Sequence, residues 1–315
     1  MSLAPDFWTR LTIPLDVPQF SVSYVAYLLG LSHNLTLVRV IFTRTVWTVA
    51  NDEHERARVM IAMQAISSHM HRCCAITFNV QFSSSLPSIP SYLYGGAKHL
   101  TALVLRCLED DGGAISTLSE SGLSPVHLEP FQCRNLHGLA IDGRNYFNAC
   151  RQNLNWTRMF PVLSKLFISH FAPVADRSES FTTSQFLLSL RPLRDSLRCL
   201  SINDLHLQYT PAPMVVDYDD LETWPTITSF KDMHNTTCIG VILEYLRGPS
   251  DVHLTRCKLD PQWRSDETRN LSLKEIDMGE DLVKFFTWCS VEKLVIDDCP
   301  GFRDDVLNAM MAPKC

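Results

Sequence analysis

A short apolar pattern recurs along the chain and constrains the fold more than any other sequence feature. Each copy has an apolar residue, two residues of any type, a second apolar residue, one residue of any type and a third apolar residue. The alternation that ends each copy is typical of a β-strand with one buried face. The copies centre on Leu11, Val38, Ile76, Leu103, Leu139, Leu166, Leu200, Ile276 and Leu294, with weaker versions at 227–230 and 252–254.

The spacing of these copies predicts a repeat protein. Successive central residues are mostly 27 to 38 positions apart, and the last two are 18 apart. Leucine-rich repeats are about 20–29 residues long, so the steps fit such repeats with insertions. We therefore predict an α/β, leucine-rich-repeat-like solenoid, with parallel strands on the concave face, helices outside and one elongated domain over residues 1–315. Accidental apolar spacing in an irregular α/β domain is the alternative.

Helices are predicted between the strands. The clearest covers residues 52–70, where Asp52 and Glu55 form a capping-box pattern at the start. An apolar stripe on one face of this helix indicates packing against the core. The stripe consists of Val59, Met60, Met63, Ile66 and Met70. Further helices are predicted at 21–31, 181–190, 237–247, 281–289 and 304–311.

The composition and the first residues limit the partners and the location that we expect. The net charge of −6 argues against nucleic-acid binding, which normally requires a basic face. The N-terminal residues have neither a basic start nor a long apolar core, so we expect no secretory signal. The apolar stretch at 22–31 is about half the length that spans a bilayer, so no membrane partner is expected. These features favour a cytoplasmic or nuclear location.

The 11 cysteines are expected to be free thiols that pack as small apolar residues. The sequence has no Cys-x-x-Cys pair, so the usual spacing of zinc ligands is missing. His69 and His71 stand near Cys73, a combination that can bind metal. Two residues two positions apart at a helix end do not face each other, however. We therefore expect neither a metal nor a cofactor.

The sequence carries no motif that identifies an enzyme. The Gly-x-Ser-x-Gly, Gly-x-Gly-x-x-Gly, Gly-x-x-x-x-Gly-Lys and His-Glu-x-x-His patterns do not occur. The acidic clusters at 217–220 and 280–281 are most simply explained as solvated surface, because acid–base catalysis needs carboxylates that converge in a cleft. We predict that the chain is not an enzyme. An enzyme with an unrecognised acidic or His/Cys site is the alternative.

The last repeat carries the most specific resemblance to a known family. It covers 291–307, where Cys299, Phe302, Asp304 and Leu307 follow one another at fixed spacing. This segment resembles the cysteine-containing leucine-rich repeat of F-box proteins, in which the Cys fills the turn, the acid caps the next helix and the Leu packs inward. The whole chain is similar to the repeat portion of the large fungal families of F-box proteins. That similarity is carried by residues 5–11, 54–59, 99–113 and 141–146.

The resemblance implies the substrate-recognition part of a receptor of an SCF ubiquitin ligase. In that family an F-box of about 45 residues precedes the first Trp-containing strand and docks the SCF adaptor. Here only seven residues precede Trp8, so we expect this chain to lack the F-box. An SCF adaptor is then a partner only if an F-box is present upstream. A truncated product of a full F-box receptor gene is the alternative, and marginal solubility of the chain alone is expected.

A solenoid of this kind exposes alternate strand residues on its concave face. These residues combine apolar, basic and acidic side chains, which suits a protein or peptide partner. We predict that Arg106, Asp142, Phe167, Asn203 and Asp297 contact this partner.

Overall fold

The computed structural model divides the chain into two compact units, unit 1 (Met1–Leu163) and unit 2 (Ser164–Cys315). This division does not test the expected single domain over residues 1–315, which we keep as a prediction. The structure describes residues 8–32, 35–45, 54–89, 96–113, 131–173, 180–209, 227–246, 250–257, 268–277, 291–300, 302, 304, 306 and 308.

Unit 1 alternates strands with helices. Its strands are β1 (Arg10–Pro14), β2 (Arg39–Thr43), β3 (Ala75–Phe82), β4 (Ala102–Glu109) and β5 (Gly138–Asp142). Its helices are α1 (Val22–Gly30), α2 (Glu55–Ser67) and α3 (Gly143–Gln152). Each strand pairs in parallel with the next one along the chain. Such pairing requires a crossover connection; α1 and α2 lie in the first two connections, and α3 follows β5.

Unit 2 repeats this plan with shorter connections. Its strands are β6 (Lys165–Phe171), β7 (Cys199–Leu205), β8 (Ser229–His234), β9 (Asp251–Thr255), β10 (Asn270–Lys274) and β11 (Lys293–Asp297). Its helices are α4 (Thr183–Leu190) and α5 (Ile239–Tyr245). These strands also pair in parallel and in chain order. The chain is therefore an α/β protein with parallel strands, and the predicted α/β class is confirmed.

The buried strand residues are aligned across the sheet. Leu103 lies opposite Ile76 on one side and Leu139 on the other, and all three are buried. In unit 2, Leu200 lies between Leu166 and Phe230 in the same way. Aligned rows of this kind let neighbouring strands share one apolar layer, which a single unit could not bury alone.

The predicted pattern centred on Val38 is two residues out of register. Strand β2 buries Val40 and Phe42, whereas Leu35 and Val38 are exposed. The pattern fits equally well two residues later, from the buried Leu37 onward. Only the pairing of β2 with β1 and β3 selects the second frame.

The predicted pattern centred on Ile276 is wrong for a different reason. Strand β10 buries Leu271 and Leu273, and it ends before Ile276. Ile276 is buried as well, because Glu275 adopts a left-handed conformation with φ 52° and turns the chain back toward the core. The apolar residue therefore belongs to the turn after the strand.

Helix α2 shows that the capping-box prediction was wrong. The helix begins at Glu55 with His54 as its N-cap residue, and the His54 side chain makes no capping hydrogen bond. Glu55 is buried and accepts hydrogen bonds from strand β3 instead, as described below. Asp52 lies outside the described residues. In the predicted stripe, Val59, Met63, Ile66 and Met70 are buried and Met60 is half-buried, so the apolar face is confirmed in the main.

Of the other predicted helices, three are observed. Helices α1, α4 and α5 fall within the segments predicted at 21–31, 181–190 and 237–247. Residues 281–289 lie outside the described residues, whereas 304, 306 and 308 are helical and Val306 is buried. Leu307 also lies outside them. Helix α3 was not predicted, because it follows β5 directly and its sequence is largely polar.

The nine cysteines in the described ranges are free thiols, as the sequence predicts. Five are buried, and burial raises the pKa of Cys73 and of Cys133 to about 12. These thiols therefore stay protonated at neutral pH and pack as apolar side chains.

Aromatic rings also contribute to the core. Phe42 of β2 stacks on Phe78 of β3 with 4.7 Å between ring centroids.

Candidate functional site

The strands turn alternate side chains to opposite sides of each sheet. In β1 the exposed Arg10 and Thr12 alternate with the buried Leu11 and Ile13. We call the positions that alternate with the buried apolar residues the outward positions. Together they form the outward face of each unit, and four of the five predicted partner-binding residues expose part of their side chains there.

Arg106 stands at an outward position of β4, and its side chain is exposed. It lies opposite Asn79 of β3. The neighbouring outward positions of β4 are apolar, since Val104 is half-buried and Leu108 is 54% exposed. The structure thus places Arg106 on an accessible surface beside apolar side chains, and its contact with a partner stays a prediction.

Asp142 is not accessible to a partner, so its predicted place on an exposed face was wrong. Its side chain is fully buried, because helix α3 begins at the next residue. Asp142 is the N-cap of that helix: one carboxylate oxygen accepts a hydrogen bond from the Asn145 backbone N–H at 3.0 Å. The other accepts from Asn145 Nδ2 at 2.6 Å. The residue fixes the junction between β5 and α3.

The environment of Asp142 disfavours its charged form. Burial raises the pKa of Asp142 to about 7, and the nearby charge of Asp110 adds to the rise, while the hydrogen bonds from Asn145 oppose it. Asn145 Oδ1 is buried and has no hydrogen-bond donor among the described residues. The site is a polar junction inside unit 1.

Phe167 and Asn203 occupy outward positions of unit 2. Phe167 in β6 is half-buried and lies opposite Ser201 of β7. Asn203 in β7 is also half-buried and lies opposite Ser169 and His234 on the two neighbouring strands. Both side chains keep part of their surface accessible, so the structure is compatible with the predicted contacts without testing them.

Asp297 lies at the last outward position of β11 and is exposed. Its carboxylate forms an ion pair with the ammonium group of Lys274 on the neighbouring strand at 3.0 Å. The hydrogen bond and the charge of Asp297 raise the pKa of Lys274. Asp297 is therefore accessible, but it already has a cross-strand cation beside it.

A row of left-handed residues in unit 2 was not predicted. Each stands two positions after the second inward apolar residue of its strand, and the residue that follows it turns back toward the core. The row consists of His170, Asp204, Asn235, Arg256, Glu275 and Asp298, with φ between 45° and 58°. Left-handed backbone is costly for most residues, so its recurrence in six consecutive strands marks a repeated turn. The constant spacing after the apolar pair is the signal that could have revealed it.

Backbone hydrogen bonds explain this turn. The N–H of Asn235 donates to the Thr255 carbonyl at 3.0 Å, and the N–H of Arg256 donates to the Lys274 carbonyl at 3.0 Å. Glu275 does the same toward Asp297 at 2.9 Å, so these three left-handed residues extend the ladder to the next strand before the chain bends. Cys257, which follows Arg256, is buried, and its thiol donates to the Met233 carbonyl at 3.2 Å.

The left-handed row brings polar side chains together at its start. Asp204 Oδ1 accepts a hydrogen bond from Asn235 Nδ2 at 2.6 Å, and both His206 and His170 lie within 3.5 Å of its carboxylate. Partial burial alone would raise the pKa of Asp204, but the hydrogen bonds from Asn235, His206 and His170 together lower it. Asp204 is therefore an ionised acid held between polar neighbours.

In unit 1 a buried acid joins helix α2 to two strands. The Glu55 carboxylate accepts hydrogen bonds from the backbone N–H groups of Gln81 at 2.8 Å and Phe82 at 3.2 Å. Arg44 Nη1 donates to the same carboxylate at 3.3 Å. The side chains of Glu55 and Arg44 are almost completely buried. This arrangement satisfies buried charges and backbone groups at the ends of β2 and β3, which is a structural role.

The possible metal ligands do not converge. His69 Nδ1 contacts Arg72 Nη2 at 3.1 Å, and burial together with Arg72 and His71 lowers the pKa of His69. The Cys73 thiol donates to the His69 carbonyl at 3.3 Å. Among the described residues, no group of three or more His, Cys, Asp and Glu side chains could hold a metal ion. The acidic clusters at 217–220 and 280–281 lie outside the described residues.

Comparisons with known proteins add no family to this picture. No protein-family model, no curated protein and no solved structure matches the chain. In the part of the chain that the structure describes, no helix is both long enough and apolar enough to cross a membrane.

Proposed function

We propose that the chain is a leucine-rich-repeat-like solenoid whose outward strand faces bind a protein or peptide partner. In this proposal it serves as a substrate-recognition module of the type found in F-box receptors of SCF ubiquitin ligases, and it works in the cytoplasm or the nucleus. The proposal includes no nucleic-acid or membrane partner and no cofactor. It rests on one observation: within each unit successive strands pair in parallel, and most side chains at their outward positions, though not Asp142, keep part of their surface accessible.

The repeat geometry of unit 2 supports the solenoid. Register-matched residues Phe230, Val252, Leu271 and Leu294 are 22, 19 and 23 positions apart. These steps match leucine-rich repeats of about 20–29 residues, in which strand residues line one surface. The left-handed residues Asn235, Arg256, Glu275 and Asp298 repeat at similar steps of 21, 19 and 23 positions.

The chemistry of the outward positions supports a protein partner. They combine a half-buried aromatic ring at Phe167, an exposed cation at Arg106 and an apolar side chain at Val295 that is 44% exposed. Protein interfaces are enriched in aromatic residues and Arg at their centres, with polar residues around them. The outward faces therefore suit a folded protein or an extended peptide.

Binding, and not catalysis, is the proposed activity. The buried acids Glu55 and Asp142 use their carboxylates to hold helices to strand ends. Asp110 is paired with a buried arginine. A general acid or base must reach a substrate, and these groups do not.

The partner can be found and its site tested with the full chain. A photo-crosslinking amino acid at position 167, compared with one at the exposed helical residue Tyr27, would identify proteins that touch the outward face. The purified partner is then titrated against the Phe167→Ala and Arg106→Ala variants. We expect each variant to weaken binding by about tenfold, because truncation of an aromatic or Arg anchor costs more than about 1 kcal/mol.

Two matched substitutions serve as controls. Tyr27→Ala removes an exposed aromatic ring from helix α1, and Arg158→Ala removes an exposed cation from a segment between strands. Both controls should leave the affinity within about twofold of the parent chain. Unchanged affinity in both strand variants would overturn the proposal that the outward face binds the partner.

A further inference from the structure

Two arginines of unit 1 face the same side of the sheet without a compensating charge. Arg10 of β1 and Arg39 of β2 are paired positions in the strand register, and both are exposed. Neither has an ion-pair partner among the described residues. Like charges directly opposite each other on adjacent strands destabilise a sheet. Repulsion between Arg10 and Arg39 therefore destabilises the sheet locally.

The rest of this surface is also free of acids. The outward positions of β1 to β4 hold no Asp or Glu, and Arg106 adds a third exposed cation. The nearest acidic outward residue, Asp142 in β5, is fully buried. The chain as a whole has a net charge of −6, so this surface is locally opposite in sign to the protein.

In unit 2, two exposed cations have acidic partners close by. Lys274 is neutralised by Asp297 on the neighbouring strand, and Arg256 is neutralised by Glu275. Cross-strand pairs of this kind are available at little cost. In the described part of unit 1, neither Arg10 nor Arg39 has such an acidic partner. Their positive charges therefore remain available to an external anion.

We propose that the outward face of β1–β4 binds an extended, acidic peptide segment of a partner protein. This inference rests on the proposed binding function and adds the chemistry of the partner. Arg10 and Arg39 would clamp one carboxylate, because the guanidinium fork matches carboxylate geometry and neighbouring strands are about 4.8 Å apart.

Arg106 gives the binding surface its length. In the strand register it stands four residues beyond the row of Arg39 and two strands away. Four residues along a strand span about 13 Å and two strand spacings span about 10 Å, so the Arg39 and Arg106 positions are about 16 Å apart, the length of about five residues of extended peptide. The half-buried Ile41 and Val104 lie between the cations and offer apolar contact. An extended peptide that runs obliquely across β2–β4, with acids about five residues apart and small apolar residues between them, fits this pattern.

A binding role for Arg39 can be separated from a structural role by one substitution. Arg39→Glu in the full chain places opposite charges in the Arg10 register pair. A cross-strand pair of that kind should raise the melting temperature by about 1–3 °C. The same variant should weaken binding of a fluorescent peptide of about twelve residues, with Glu about every five residues and Ala between them, by about tenfold. Gain of stability together with loss of binding is the result expected for a functional arginine.

The control and the opposing outcomes complete the test. Arg158→Glu changes the same charge outside the strands and should leave peptide affinity within about twofold. Three outcomes would each overturn the inference: equal weakening by Arg39→Glu and Arg158→Glu, no binding of the Glu–Ala peptide to the parent chain, or tighter binding of a single-stranded oligonucleotide. If the crosslinked partner needs Phe167 but binds the Arg39→Glu variant normally, the acidic-segment inference fails while the proposed function stands.

Discussion

The carboxylate of Asp110 and the guanidinium of Arg144 form a two-point ion pair inside unit 1, with nitrogen–oxygen distances of 2.5 and 2.9 Å. Their side chains are only 5% and 2% exposed. Asp110 follows strand β4, and Arg144 lies in the first turn of helix α3. The pair therefore connects the end of β4 to helix α3, which follows the neighbouring strand β5.

Removal of the Arg144 charge should destabilise unit 1 strongly. Arg144→Met leaves the Asp110 carboxylate buried without its cation, and the loss of one partner of a buried pair costs about 3–5 kcal/mol. Urea unfolding followed by far-ultraviolet circular dichroism measures the change. Arg194→Met, which removes an exposed pair with Asp195, should cost less than about 1 kcal/mol. Equal effects of the two substitutions would contradict the assigned importance of the buried pair.

Asp142 should make stability depend on pH. Its pKa rises from 3.8 to about 7 in the folded chain, so between these values the folded state binds more protons than the unfolded state. Its favourable contribution is fully present below pH 3.8 and is lost as the pH rises through about 7. Asp142→Asn keeps a good N-cap and removes the titration.

The measurement is the difference in unfolding free energy between Asp142→Asn and the parent chain. From about pH 5 to about pH 8, this difference should shift by about 1–3 kcal/mol in favour of the variant. Asp297→Asn, at an exposed acid, provides the matched control and should show much less of a shift. A pH-independent difference for Asp142→Asn would show that Asp142 does not titrate in this range.

Glu55→Gln should loosen the attachment of helix α2. The Glu55 carboxylate uses both oxygens to accept hydrogen bonds from β3, whereas an amide offers only one acceptor oxygen. One buried backbone N–H would lose its partner and the buried Arg44 would lose its counter-charge, at a combined cost of at least about 3 kcal/mol. Unfolding in urea tests this value. Glu292→Gln, at an exposed and weakly paired glutamate, should change stability by less than about 0.5 kcal/mol.

The left-handed turn predicts that Gly is more stable than Val at Glu275, and that Val is more stable than Gly at the adjacent Lys274. Glu275→Gly and Glu275→Val both lose the pair with Arg256, but a β-branched residue is poorly tolerated at φ 52°. The Val variant should be less stable than the Gly variant by about 1–2 kcal/mol. At Lys274, inside β10, the order should reverse, because Val favours strands and Gly weakens them. Thermal unfolding of the four variants decides between a repeated turn and ordinary strand backbone.

Some elements could be predicted from the sequence because their signals are local. The buried pairs in β3 to β7 follow the apolar alternation, and helices α1, α4 and α5 fall within the predicted segments. In strand β2, apolar alternation alone does not define which residues are buried. Two apolar frames fit its sequence, and the hydrogen-bonded pairing of Val40 with Leu11 and Ile76 selects one of them.

The candidate site shows the same limit. Alternation places Arg106 and Phe167 on outward faces as predicted, because strand geometry alone decides which side they occupy. Alternation also predicts an outward position for Asp142, yet helix α3 begins immediately after it and buries it. Accessibility depends on what packs over a residue, which a period of two cannot reveal.

The sequence by itself determined the α/β class, the position of most strands and of helices α1, α2, α4 and α5, and the free thiols, because each depends on local periodicity or composition. Only the tertiary structure decided how the charges are used. Glu55, Asp110 and Asp142 are buried and bound, whereas Arg10 and Arg39 are exposed side by side without a counter-charge in the described residues. The physical reason is that the energy of a charge depends on its burial and its neighbours in space, and both are set by strand register and helix packing.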